Sequence, residues 1–148
     1  NTFSTGTVDL QIKPGSNPYA DTQAGFTDTL LPGETSQKEF LLKNNNSEVE
    51  LAISAQAIVD DGIGGLNEID PTLVSVTFTA VDSLNNPTGT PVTNTLAEWT
   101  VPTALGLPDI ASGVEQKYLM DVTISSLVDT PSADSVFDFV FTGIQVNP

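Results

Sequence analysis

The stretch VELAISAQA, residues 49 to 57, decides the fold class, because Val49, Leu51, Ile53, Ala55 and Ala57 fall at every second position. Side chains alternate across a β-strand, so this period predicts a strand with one buried face and one wet one. The same period recurs along the chain. Val74, Val76, Phe78 and Ala80 alternate, as do Tyr118, Met120, Val122 and Ile124, and Phe137, Phe139 and Phe141 line one face of FDFVFTG. Val136 and Val140 make the other face of that last strand apolar too, which predicts a central place in its sheet.

Turn signals separate these runs. KPGSNPYADTQ (13–23) reads as a loop, Phe26 and Leu30 share a face, and Pro32-Gly33 makes a turn. An arm with Phe40 and Leu42 reaches Asn44-Asn45-Asn46-Ser47, so residues 36–59 read as a hairpin. DDGIGGLNEIDP (60–71) is an acidic, glycine-rich loop and DSLNNPTGTP (82–91) a hairpin loop. A short strand is expected over 93–101, carrying the single Trp99, and residues 102–113 read as irregular with room for one helical turn. Eight or so such strands predict an all-β domain, a two-sheet β-sandwich of jelly-roll or immunoglobulin-like topology.

Composition narrows the function. The chain has 148 residues, enough for one domain, and a net charge of −15 from 19 acidic residues against four lysines. Such a surface repels nucleic acid and anionic membranes, and its plainest role is a solubilising coat. No stretch approaches the roughly 18 apolar residues of a membrane span. With no Cys and no His, disulfides, thiolate chemistry, a serine–histidine triad and histidine-bound zinc are all excluded. The acidic residues are scattered over loops and polar strand faces and converge on no carboxylate pair, so no enzyme is expected. The chain begins with Asn1 rather than Met, which is expected of a mature chain whose leader was removed on export.

Three further sites carry expectations. Asp60, Asp61 and Asp70 crowd one loop with Asn67 and Glu68, and hard oxygen ligands suit Ca²⁺. Their spacing fits neither an EF-hand nor a glycine-aspartate β-roll, and a polar connecting loop explains them equally; no other cofactor is expected. Asn45-Asn46-Ser47 is an N-glycosylation sequon at Asn45 on a predicted turn. The lysines, Lys13, Lys38, Lys43 and Lys117, fall near turns or strand ends and read as solvated rather than as partners in an isopeptide bond.

The first residues, NTFSTGTVDLQIKPG (1–15), are the unusual ones. Val8, Leu10 and Ile12 alternate cleanly, while Phe3 has the opposite parity. The apolar face therefore switches across Ser4-Thr5-Gly6-Thr7, and a glycine inside a strand marks the bulge or bend that does this. Two surfaces served by one segment, or an ordinary first strand with a bulge, both follow from the pattern.

Taken in order, these segments resemble the TasA/camelysin family of secreted biofilm-matrix and pilus proteins, which includes archaeal bundling pilins. Phe3, Gly6, Thr7, Val8, Asp9 and Leu10 match that family's Phe-x-x-Gly-Thr-Leu/Val-Asp-Leu stretch. LLPGETSQKEFLLKNNNS (30–47) is similar to its Leu-x-Pro-Gly-Asp/Glu turn and following strand, and YLMDVTI and FDFVFTGIQ resemble its closing strands. Two residues precede the first motif here, where the family often has several. The resemblance implies a jelly-roll subunit of an extracellular filament in which the N-terminal strand of one copy completes a sheet of the next. Residues 1–13 are then the donor segment and 14–148 the sandwich. Phe3, Gly6, Val8, Leu10 and Ile12 form the donor, and Phe137, Phe139 and Phe141 the acceptor groove. Burying four such anchors contributes on the order of 6 to 12 kcal/mol before ordering costs. Partners implied are further copies, end to end and in lateral bundles. Camelysins are also described as metallopeptidases, but the absent His keeps that activity from being carried over. A different class of function, a monomeric secreted module binding carbohydrate or Ca²⁺, would use Tyr19, Trp99 and Tyr118 as stacking faces.

Overall fold

A computed structural model describes residues 2–5, 10–15, 18–20, 22–24, 30–46, 48–59, 69–106, 108–128 and 137–146, with only the backbone of 2–5 and 22–24. Its strands are β1 (Thr2–Thr5), β2 (Leu10–Pro14), β3 (Thr22–Ala24), β4 (Thr35–Asn44), β5 (Glu50–Val59), β6 (Val74–Val81), β7 (Val92–Thr95), β8 (Thr103–Ala104), β9 (Glu115–Ile124) and β10 (Phe137–Val146). They form two five-stranded sheets. The front sheet runs β3-β1-β10-β5-β8 and the back sheet β2-β4-β9-β6-β7. The chain is an all-β sandwich, as the alternating runs predict.

Among the described residues, consecutive strands change sheet at nearly every step, and only β6 and β7 follow one another in the same sheet. That pair is the expected hairpin around residues 82–91, with Ser75 opposite Thr95 and Phe78 opposite Val92. Asp82 braces its loop by accepting from the backbone N–H groups of Leu84 and Asn86, each at 2.9 Å. The predicted hairpin over 36–59 does not form. β4 lies between β2 and β9 in the back sheet, whereas β5 lies between β10 and β8 in the front one. Both flanks of β4 are already taken, so the chain leaves at Asn44 and crosses the sandwich.

Asn44 shows how the crossing is held. It ends the inward row Phe40, Leu42, Asn44 and is fully buried. Its side-chain amide donates to the carbonyls of Val49 (2.7 Å) and Ile110 (2.9 Å), and its Oδ1 accepts from the backbone and side-chain nitrogens of Asn46, both at 3.0 Å. Its backbone bonds Gly113 and Val114. Ile110 in turn bridges Leu51 at the start of β5. One buried amide thus joins the end of one sheet to the start of the other, with every donor and acceptor used.

Aromatic rings fill the space between the sheets. Phe78 of β6 meets Phe40, Trp99, Phe139 and Phe141 edge-on at centroid distances of 5.0–6.0 Å, and Phe40 stacks on Tyr118 at 5.6 Å. Such geometry places ring edges on ring faces, the favoured arrangement for quadrupoles. Trp99 is not on a strand as expected. It closes a helical turn, Leu96–Trp99, that starts from a capping box in which Thr95 and Glu98 satisfy each other's backbone N–H. Its indole N–H donates to the Val76 carbonyl at 2.9 Å. The expected turn at Pro32-Gly33 is present, and Gly33 has φ +85°, which an L side chain rarely adopts.

Candidate assembly interface

β1 joins the front sheet between two neighbours. It runs parallel to β10, with Phe3 opposite Phe139 and Thr5 opposite Phe141, and antiparallel to β3, with Thr2 opposite Ala24 and Ser4 opposite Thr22. The next strand, β2, belongs to the back sheet and pairs with β4, Leu10 opposite Asn44 and Ile12 opposite Leu42. The change of parity between Phe3 and Val8 therefore coincides with a change of sheet. Gly6 and Val8 lie outside the described residues.

Leu10 and Ile12 are not left over for a neighbour. They are 1% and 0% exposed within the core of their own chain. Of the segment expected as a donor at residues 1–13, Leu10 and Ile12 thus lie in this core, while residues 2–5 join the front sheet. Phe137, Phe139 and Phe141 do sit on the strand that β1 joins. Their rings, however, are 4%, 1% and 0% exposed and packed inward, Phe141 against Phe40 at 5.0 Å and Phe139 against Trp99 at 5.9 Å. What β10 offers a pairing strand is its backbone edge, with the aromatic row as the floor beneath.

Farther along the same inward row stands Gly143, opposite Ile53. A Cβ there would meet Leu51 Cδ1 at 2.7 Å, so the missing side chain is the space that Leu51 occupies. Neither Gly143 nor Asn44 figured among the candidate residues. Asn44 had a readable signal, a polar residue at core parity in an apolar row; Gly143 had none before its partner was known.

A second unanticipated feature is a clamp around Tyr19. The loop after β2 folds back so that Ile12 and Ala20 exchange backbone hydrogen bonds of 2.8 and 3.1 Å. The Tyr19 ring lies with Lys13 Nζ 5.5 Å and Lys43 Nζ 5.7 Å from its centroid, and its hydroxyl donates to the Glu115 carboxylate. Burial, then the bond to Glu115 and its charge, push the phenol up, so it stays protonated and donating. Lys13, Lys43 and Glu115 come from β2, β4 and β9, so one side chain ties the loop to three strands. A neighbouring recess of about 540 Å³ is lined by Lys13, Glu39, Leu41, Asp82 and Lys117, among others. There Lys117 pairs with Glu39 at 3.0 Å.

The remaining expected sites fare differently. Asp60 and Asp61 lie outside the described residues. Asp70 caps the 3₁₀ turn Pro71–Leu73, its Oδ1 accepting from the backbone N–H and hydroxyl of Thr72 at 2.9 and 2.8 Å. Those bonds hold its carboxyl below the usual range. Among the described residues no three His, Cys, Asp or Glu groups converge as metal ligands. Asn45 is exposed beside its turn, its amide donating to Gln11 Oε1 at 2.9 Å. Trp99 and Tyr118, offered as sugar-stacking faces, are 0% and 1% exposed and belong to the core. Lys38 and Lys117 stand within strands rather than at their ends. No helix among the described residues is long and apolar enough to cross a membrane.

The class defined by this architecture is a two-sheet all-β sandwich whose first strand is inserted between strands from distant parts of the chain. Compared with known proteins, the chain matches no protein-family model and no curated sequence.

Proposed function

We propose that this protein is a structural subunit of an extracellular filament, a pilus or matrix fibre of the TasA-like kind, in which the N-terminal strand of one copy enters the front sheet of the next. The front-sheet order β1-β10-β5-β8 and the back-sheet order β4-β9-β6-β7, with sheet changes between most consecutive strands, support a jelly-roll description. The observation that carries the proposal is the placement of β1. It contributes four residues to one sheet, while the chain that follows is rooted in the other sheet by Leu10 and Ile12.

An element attached in this way can be exchanged for the identical element of another copy without unmaking the core. Withdrawing it leaves the N–H and C=O groups of β10 unpaired, an edge that recruits another strand. Because the donor and the slot are different surfaces of one molecule, exchange in a fixed direction produces an open chain of subunits. Lateral association has a surface to use as well. Facing outward on β5 and β10, the pairs Gln56·Val140, Ser54·Thr142 and Ala52·Ile144 carry no charge in a chain of net charge −15.

The test is deletion of residues 1–5, followed by electron microscopy of the purified protein. Loss of filaments from a chain that keeps its core is the expected result, since the truncation spares Leu10 and Ile12. Filaments identical to those of the full chain would defeat the proposal. Deletion of residues 1–12 is expected to destabilise the subunit itself, because it empties two core positions.

A further inference from the structure

Resting on that reading, we infer that the slot filled by β1 has two walls and that Tyr19 is the positioning residue that holds the second. β10 is one wall, a ten-residue strand backed by β5 along its whole length. The other is β3, three residues at the sheet edge whose strand partner is β1 itself. A strand that short does not keep its place unaided. Its near anchor is the Ile12–Ala20 bridge together with the Tyr19 side chain, held by Lys13, Lys43 and Glu115. All of these attachments run to the back sheet and none to β1. The wall therefore stays in place when β1 is withdrawn.

The occupant of the slot is residues 2–5 of a second copy. Having the same sequence, that segment finds the same register on both sides, parallel to β10 and antiparallel to β3. Two walls do more than double the hydrogen bonds. An edge alone fixes a strand from one side, whereas the slot fixes its register from both, with Phe3 opposite Phe139 on one wall and Gln23 on the other. A single register is what gives every joint of a filament the same geometry.

The experiment uses the full chain and its Tyr19→Ala and Tyr19→Phe variants. Native-state hydrogen exchange is read at residues 22–24, and binding of a fluorescent peptide with the sequence of residues 1–9 is read by anisotropy. Tyr19→Ala is expected to speed exchange at 22–24 and weaken peptide binding, each about tenfold, the equivalent of losing two surface cation–π contacts and a hydrogen bond. Exchange in β4 and β9 should stay unchanged. Tyr19→Phe, which keeps the ring against the two lysines, should fall between. Unaltered exchange at 22–24 in Tyr19→Ala would overturn the inference, and so would an equal loss of protection in β4 and β9, which marks general destabilisation. A peptide that binds none of the three chains would instead overturn the strand-exchange reading on which the inference rests.

Discussion

Replacing Asn44 with Ala tests how the two sheets are coupled. The substitution removes both donors that serve the carbonyls of Val49 and Ile110, and the acceptor that serves Asn46. Ile110 keeps its bond from the Leu51 N–H, and Asn46 is half-buried and regains water, so the full loss falls chiefly on Val49 and on part of Ile110. At about 1–3 kcal/mol for each buried polar group deprived of its partner, the expected cost is about 3 kcal/mol. For a domain of this size that lowers Tm by roughly 6–12 °C. Equilibrium unfolding in urea, followed by fluorescence of the buried Trp99, reads it directly, with the slope on denaturant unchanged. Asn45→Ala, one residue on and exposed, serves as the control and is expected to cost less than about 0.5 kcal/mol. The reasoning fails if Asn44→Ala costs less than about 1 kcal/mol, or if the control costs as much.

Gly143→Ala is expected to destabilise by about 1–3 kcal/mol in the same assay, because the new methyl displaces Leu51 from a filled site. Tyr118→Phe should be neutral or stabilising by up to about 1 kcal/mol, since the buried Tyr118 hydroxyl has no hydrogen-bond partner among the described residues. Acid should weaken the fold through three exposed caps. Asp70, Asp82 and Glu98 are held below their ordinary values of 3.8, 3.8 and 4.5, each first by a backbone N–H, from Thr72, Asn86 and Thr95 respectively. Their contribution is fully present above those values and disappears as pH falls through the lower folded ones. Thermal melts from pH 6 to pH 3 should show this loss, and it should be smaller in the Asp70→Asn, Asp82→Asn, Glu98→Gln triple variant; an identical acid profile would refute the assignment.

Much of the fold was legible from alternation, because the period of a strand states which face is buried. Val74, Val76, Phe78 and Ala80 are all buried, as that pattern predicts. Periodicity does not state which strand lies alongside, so the crossing at Asn44 was read as a hairpin. Trp99 was misplaced although Thr95 and Glu98 carried the spacing of a capping box, since a four-residue helix is too short for its own period to show. Parity showed that the apolar face switches between Phe3 and Val8, but it left a bulged strand and two separate surfaces both open. The clamp on Tyr19 was not legible, for its partners at 13, 43 and 115 come from strands brought together only by folding. The placing of Leu10 and Ile12 in a donor met a related limit. A clean apolar row predicts burial, yet does not say in which molecule.

Pairing β1 with β10 also sets an order in time. The first strand is synthesised long before the edge it will join, and at about 5–20 residues per second the delay is on the order of ten seconds. Closing so long a stretch of chain costs only slightly more than closing a moderate one, so the molecule's own β10 stays a strong competitor for β1 despite the distance along the chain. The outcome then turns on how crowded the newly made chains are. Under the proposed exchange, dilution would favour closure within one molecule and crowding would favour stitching between copies.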